Sequence, residues 1–307
     1  MLVMRDAQLK TFEQVAVERF QGALRVHIQT FFPHHAEVLG QAHLERVIRY
    51  ALEKAERRNL KTERAIFLYT GLLLMLGSEF EKDPQLPWAV RRPEPVPADA
   101  PESRQATAST AAVSEGAAGE TDKERLIERK SPDSAIERLY GQAMMFLDQA
   151  VGSENQFLQR TVGALRQARI FEEVPSAPSF GHRLLLLLQM LGPERYRAVG
   201  EGPLRELVRQ GYESAKRYGI VSEQEIMRYI ALAFILGSGF AHDPLYPWAG
   251  AVLSGSGKIS PSQRGVALWQ AALDYLSRCL PACPHRAAQS AAALARPDEP
   301  YQRIIED

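Results

Sequence analysis

Residues 76–89, LGSEFEKDPQLPWA, return at 236–249 as LGSGFAHDPLYPWA. The match extends well beyond this phrase. Residues 20–89 align with 180–249 at a constant offset of 160, without a gap, and 23 of the 70 paired positions are identical. Phe20/Phe180, Leu24/Leu184, Pro33/Pro193, Gly40/Gly200, Leu44/Leu204, Arg49/Arg209, Glu53/Glu213 and Arg57/Arg217 are among them. A gapless match of this length means the same elements in the same order, so the chain carries two copies of one small fold.

Each copy reads as helices. LKTFEQVAVERFQGALRVHIQTFF steps its apolar residues by three and four and stops before Pro33. QAHLERVIRYALEKAERRN follows as a second amphipathic helix, with Leu44, Val47, Ile48, Ala51 and Leu52 on one side. On its other side Arg49, Glu53 and Arg57, matched by Arg209, Glu213 and Arg217, stand four apart, the spacing of helical ion pairs. Thr62 and Ser222 are N-caps for a third helix, AIFLYTGLLLMLG or IMRYIALAFILG, apolar enough to be the buried centre of its bundle. In the second copy Pro175 and Pro178 delay the first shared helix to about Ser179. Further helices are expected in SAIERLYGQAMMFLDQAVG, NQFLQRTVGALRQARIFEE and SPSQRGVALWQAALDYLSRCL, and period-two alternation is absent. The expected class is all-α: two tandem, diverged helical-bundle modules.

The stretch 91–133 is rich in Pro, Ala, Ser and Glu and poor in large apolar side chains, so it cannot bury enough surface to offset its ordering entropy. It reads as a flexible, disordered linker between a first module at 1–90 and a second at 134–280, with a tail at 281–307.

The repeated phrase reads as a structural clasp closing each module. Gly77 and Gly237 sit where a helix ends and a positive φ is needed, and Phe80 and Phe240 can fold back on the last turn. Asp83-Pro84 and Asp243-Pro244 have the form of a helix start, with the carboxylate as cap and proline at the first position. Pro87-Trp88 and Pro247-Trp248 then present an indole to the bundle. No His or Cys recurs beside the aspartates, so a catalytic role is not indicated.

Other candidates are weaker. SGSGKIS at 254–260 has Val252 where a phosphate loop needs its first glycine and Ile259 where it needs Ser or Thr. Cys279, Cys283 and His285 give three potential ligands without a fourth, and His34, His35 and His43 are not repeated and read as a solvated loop. Neither a metal nor a cofactor is expected. Thirty-seven basic residues balance 37 acidic ones, which disfavours a broad nucleic-acid surface. The apolar runs are too short to cross a bilayer and the N-terminus lacks a signal-peptide core, so a cytoplasmic protein without membrane insertion is expected.

A helix ending in Leu-Gly-Ser-x-Phe, followed by x-x-Asp-Pro-x-x-Pro-Trp-Ala, resembles a class of bacterial helical proteins encoded near type VI secretion effectors. The resemblance covers residues 1–89 and, more divergently, 180–249. It implies a non-enzymatic accessory role: chaperone or adaptor for a secreted effector or spike-tip (PAAR) protein. Immunity to a cognate toxin is the alternative, and an enzyme or ligand sensor with a site between the modules is a third reading. The doubling departs from the single-module pattern of that class.

Overall fold

The computed structural model describes residues 6–90, 132–255 and 260–279, and the statements below concern those residues. They form helices and short 3-10 turns, with no strand among them. The first copy supplies α1 (Asp6–Phe31), α2 (Pro33–Arg57) and α3 (Glu63–Leu76). Two helices come next, α4 (Pro132–Ala150) and α5 (Gln156–Arg166). The second copy supplies α6 (Phe180–Leu191), α7 (Pro193–Val199), α8 (Glu201–Arg217) and α9 (Glu223–Leu236). The short α10 (Pro247–Leu253) and α11 (Pro261–Cys279) close the described chain. None of these helices is long and apolar enough to cross a membrane.

The two copies agree in backbone as well as in sequence. α2 is broken at Gly40 (φ 67°, ψ 165°), and the break between α7 and α8 falls at Gly200 (φ 84°, ψ 157°). A positive φ with an extended ψ is open to glycine and strained for other residues, so these two glycines set the same bend. Thr62 Oγ1 accepts from the Ala65 amide and Ser222 Oγ from the Glu225 amide, capping α3 and α9 as the sequence leads one to expect. The four-residue charge ladder is realised only in part. Arg57 reaches Glu53 at 3.9 Å, whereas Arg209 turns to Glu206 at 2.5 Å.

The shared unit is larger than the gapless repeat. α4 and α11 are both 19 residues long, both begin with proline, and register at an offset of 129. Leu139 pairs with Leu268, Tyr140 with Trp269, Ala143 with Ala272 and Phe146 with Tyr275, and all eight are buried. α11 packs on α9, the apolar helix of its own copy, and α4 packs in the same way on α3 of the first copy, while also touching the second module to which the sequence reading assigned it. Ile136, Leu139, Tyr140, Ala143 and Phe146 complete one core with Leu68, Leu72 and Leu73. The Pro/Ala/Ser-rich stretch therefore precedes the last helix of the first bundle, and its own structure lies outside the described residues. Its length differs between the copies, so a constant-offset comparison loses register there.

The copies also pack on each other. One apolar cluster unites Leu24, Ile28, Phe67 and Leu74 of the first with Leu184, Leu207, Leu232 and Phe234 of the second. α4 touches α7 of the second copy, and α11 touches α2 of the first. Such reciprocity, in which each copy lends the same element to the other, is the mark of a two-fold arrangement.

Candidate functional site

α3 and α9 end side by side, and their signature loops meet at the centre of the molecule. Gly77 (φ 92°, ψ 152°) and Gly237 (φ 98°, ψ 152°) turn the chain at the helix ends. A side chain at either glycine would be strained by the positive φ and crowded as well: a Cβ on Gly77 would lie 3.2 Å from the Leu236 carbonyl, and one on Gly237 3.2 Å from Asp83 Oδ2. The close approach lets each aspartate reach across. Asp83 Oδ2 accepts from the Ser238 amide at 2.8 Å, and Asp243 Oδ2 accepts from the Ser78 amide at 2.7 Å. Each aspartate's Oδ1 accepts from the amide two residues on, Gln85 at 2.9 Å or Leu245 at 2.8 Å.

This corrects the expectation for Asp83-Pro84 and Asp243-Pro244. Neither pair starts a helix. Asp83 follows a 3-10 turn (Phe80–Lys82) and leads into irregular chain, while α10 begins at Pro247 with no side-chain cap. Both carboxylate oxygens are already committed, one to the aspartate's own turn and one to the other copy. Through its aspartates the clasp also joins the two modules.

Both carboxyl groups are almost fully buried. Burial raises the Asp243 pKa to about 6, against the pull of the Leu245 and Ser78 amides and with Glu79 adding to the rise. Burial also raises Asp83, opposed by the Gln85 and Ser238 amides and by the Arg195 guanidinium. The amides thus recover part of what desolvation costs.

The aromatic members of the phrase act within each copy. Phe80 and Phe240 are buried, 6.0 Å and 5.0 Å from the rings of Tyr69 and Tyr229. Trp88 and Trp248 are half-buried and lean on the last helix of their own bundle, Trp88 on Phe146 at 5.8 Å and Trp248 on Tyr275 at 5.7 Å. Pro87 is exposed, and Pro84, Pro244 and Pro247 are half-buried.

Where the copies differ, the two sides of the junction acquire different chemistry. Glu79 accepts from Tyr50 at 2.5 Å and Lys54 at 3.1 Å and pairs with Lys82 at 2.7 Å. Although burial opposes ionisation, these bonds hold its carboxyl down at about 2. Its counterpart is Gly239, and a Cβ there would lie 2.6 Å from Glu79 Cβ. Near a two-fold axis a residue meets its own counterpart, and the space admits one of the two side chains. Glu81 accepts from Tyr69 at 2.6 Å and pairs with Arg58 at 2.5 Å, whereas the second copy has Ala241 and joins Tyr229 to Ser214 at 2.9 Å.

Arg195, at the position of His35, was not singled out by the sequence. Its Nε donates to Gln85 Oε1 at 3.2 Å, and its guanidinium lies 5.4 Å from the Phe234 ring and 5.7 Å from that of Phe146. The buried Gln85 also donates to the Ala233 carbonyl at 3.1 Å. A second polar bridge between the modules results, on one side only.

A solvent-exposed cleft of about 460 Å³ lies on the second side, with Ala241 in its lining. His43 and Arg46 of α2 face Tyr218 and His242 of the second copy across it, with Pro244, Tyr246, Pro247 and Leu253 as an apolar wall. Tyr218 Oη lies 2.8 Å from His242 Nε2, and Arg46 Nη2 lies 3.4 Å from His43 Nε2. Asp243 is the carboxylate in the lining, and its oxygens are held by the two amides. The corresponding first-copy residues are Arg58 and Lys82, paired with Glu81 and Glu79, and the counterpart of Arg46 is Glu206.

The other sequence candidates fall elsewhere. His34, His35 and His43 lie in α2, half-buried, and not in a loop. Burial, with His34 beside it, lowers the His35 pKa to about 4. Cys279 ends α11 half-buried; Cys283, His285 and most of SGSGKIS lie outside the described residues. No group of three or more His, Cys, Asp or Glu placed to hold a metal occurs among the described residues. Comparison with known proteins finds no family model, no curated protein and no solved structure that matches this chain.

Proposed function

We propose that this chain is a cytoplasmic, non-enzymatic binding protein, a chaperone or adaptor for a secreted effector or spike-tip protein of the type VI kind. The observation that carries it is the use of the signature. Both copies use their shared aspartates to join two bundles into one body, through Asp83 with Ser238 and Asp243 with Ser78. An inter-module cleft is lined by residues of both copies, His43 and Arg46 of the first and Tyr218 and His242 of the second. A duplicated scaffold with a cleft between its copies suits recognition of a polypeptide partner. The secretion context rests on the resemblance of the signature to helical proteins encoded near such effectors.

The test mixes the purified full chain with the products of its neighbouring genes. A stoichiometric complex that keeps an effector or spike-tip protein soluble supports the proposal. A complex that abolishes a toxin's activity points to immunity instead. If no neighbour co-elutes with the chain, the proposal fails. Truncation to residues 1–95 is unsuitable for this test, because it removes α4 from the first bundle's core.

A further inference from the structure

We infer that each module's junction face fits the other module and excludes a second copy of its own kind. The partner that the interface accepts is thus the unlike half of the chain. Two observations carry this, one on the axis and one beside it, and neither depends on what the chain binds.

The crossing aspartates by themselves would serve either pairing. Asp83 and Asp243 each take the amide of the serine that follows a signature glycine, and both copies supply one. Identical faces would therefore close a symmetric dimer of like modules. The faces differ on the axis, where Glu79 meets Gly239 and a Cβ on that glycine would already lie 2.6 Å from Glu79 Cβ. Two first modules would bring Glu79 against Glu79. Their side chains would claim one space, and Tyr50, Lys54 and Lys82 would hold both carboxyl groups ionised.

The second difference blocks the other like pair. Arg195 of the second module donates to Gln85 Oε1 of the first at 3.2 Å, with its guanidinium 5.7 Å from the Phe146 ring. Two second modules would put Leu245 in the place of Gln85. Leucine offers the guanidinium no acceptor, and a charge set against it at a closed interface loses a bond it has in the chain. Across the junction the corresponding pair is His35 and Leu245, and burial keeps that imidazole uncharged. Each like pairing thus meets its own obstacle, and the unlike pairing escapes both.

The intact full chain can be made to imitate each excluded pair. Gly239→Glu places glutamate on both sides of the axis, and Gln85→Leu sets leucine against Arg195. In urea unfolding at neutral pH each should raise the unfolding equilibrium constant by at least about tenfold. A second substitution separates exclusion from a general loss of packing. Glu79→Gly should destabilise wild type, which loses the bonds to Tyr50, Lys54 and Lys82, yet stabilise the chain that carries Gly239→Glu. Arg195→His should destabilise wild type yet stabilise the chain that carries Gln85→Leu, because it recreates the pair on the other side of the junction.

Reversal of sign in both cycles is the expected result. An effect of the same sign in both backgrounds, in either cycle, overturns the inference. Where Gly239→Glu alone does not fold, folding of its double variant with Glu79→Gly is the reversal, and failure of that double variant to fold overturns the inference as well.

Discussion

The two signature loops share nine of their fourteen residues, yet their surroundings differ. In the first, Glu79 and Glu81 tie the loop to α2 through Tyr50, Lys54 and Arg58 and to α3 through Tyr69. In the second, small residues replace both glutamates, and Tyr229 finds Ser214 instead. What stayed the same is what the junction needs from both sides: a glycine that permits close approach, an aspartate that crosses it, and a tryptophan that holds the last helix. What changed lies where a two-fold arrangement cannot be symmetric, as at Glu79 and Gly239, or where nothing structural is lost by opening a cleft. Divergence after doubling separates the scaffold from the surface that is free to specialise.

The largest effect expected of any single change is at the crossing aspartates. Asp83→Ala and Asp243→Ala each leave buried amides unpaired and should cost about 3 to 5 kcal/mol in urea unfolding. The double variant should cost less than the sum, because the two bonds close one junction. Additive costs would show that the loops act independently and would break the two-fold comparison. The same site predicts a pH dependence. A folded-state pKa raised to about 6 means folding takes up a proton, so the stability linked to Asp243 is present below the usual carboxylate range and lost as pH rises through about 6. Asp243→Asn should therefore cost less at pH 7.5 than at pH 4.5, by on the order of 1 to 2 kcal/mol. A constant cost would place the proton elsewhere.

Trp88→Ala and Trp248→Ala come next, at about 2 to 3 kcal/mol each, below a fully buried truncation because both indoles are half-buried. Each should couple to the aromatic residue of its own last helix, Phe146 or Tyr275, in a double-mutant cycle. No coupling would mean that the tryptophans serve a surface instead. Gly239→Ala should cost about 2 kcal/mol by overpacking against Glu79, and clearly less in a Glu79→Gly background. The smallest effect has the opposite sign. His27 is buried between the rings of Phe31 and Phe67 with neither ring nitrogen hydrogen-bonded, where the second copy has Leu187. His27→Leu should stabilise by about 1 kcal/mol at neutral pH. Burial lowers the His27 pKa to about 4, so the wild type loses stability as pH falls below about 6.5 and the advantage of leucine should widen there.

Much of this architecture was legible before any coordinates. The ends of α1, α2 and α3, the caps Thr62 and Ser222, and the glycines at 77 and 237 follow from local rules, because each depends on residues a few positions away. The roles of Asp83 and Asp243 did not follow, since their partners are 155 and 165 residues distant and the local pattern Asp-Pro has a commoner use at helix starts. Arg195 and the cleft were invisible for the same reason: Arg195 matters only beside Gln85, and His43 only across from His242. The correspondence of α4 with α11 was not read, because the segment before α4 differs in length from its counterpart. Its apolar stripe, matched to α11 at a separate offset, was a signal that could have placed it.

The amino-acid order alone determined that there are two copies, that they are helical, and where their helices stop, because periodicity, capping and glycine act over one or two turns. Tertiary structure decided that the copies face each other, that their shared aspartates cross the junction, and that one side carries ion pairs while a cleft lies on the other. Those outcomes depend on which groups are left to satisfy one another when two bundles exclude water between them, and no local pattern encodes that pairing.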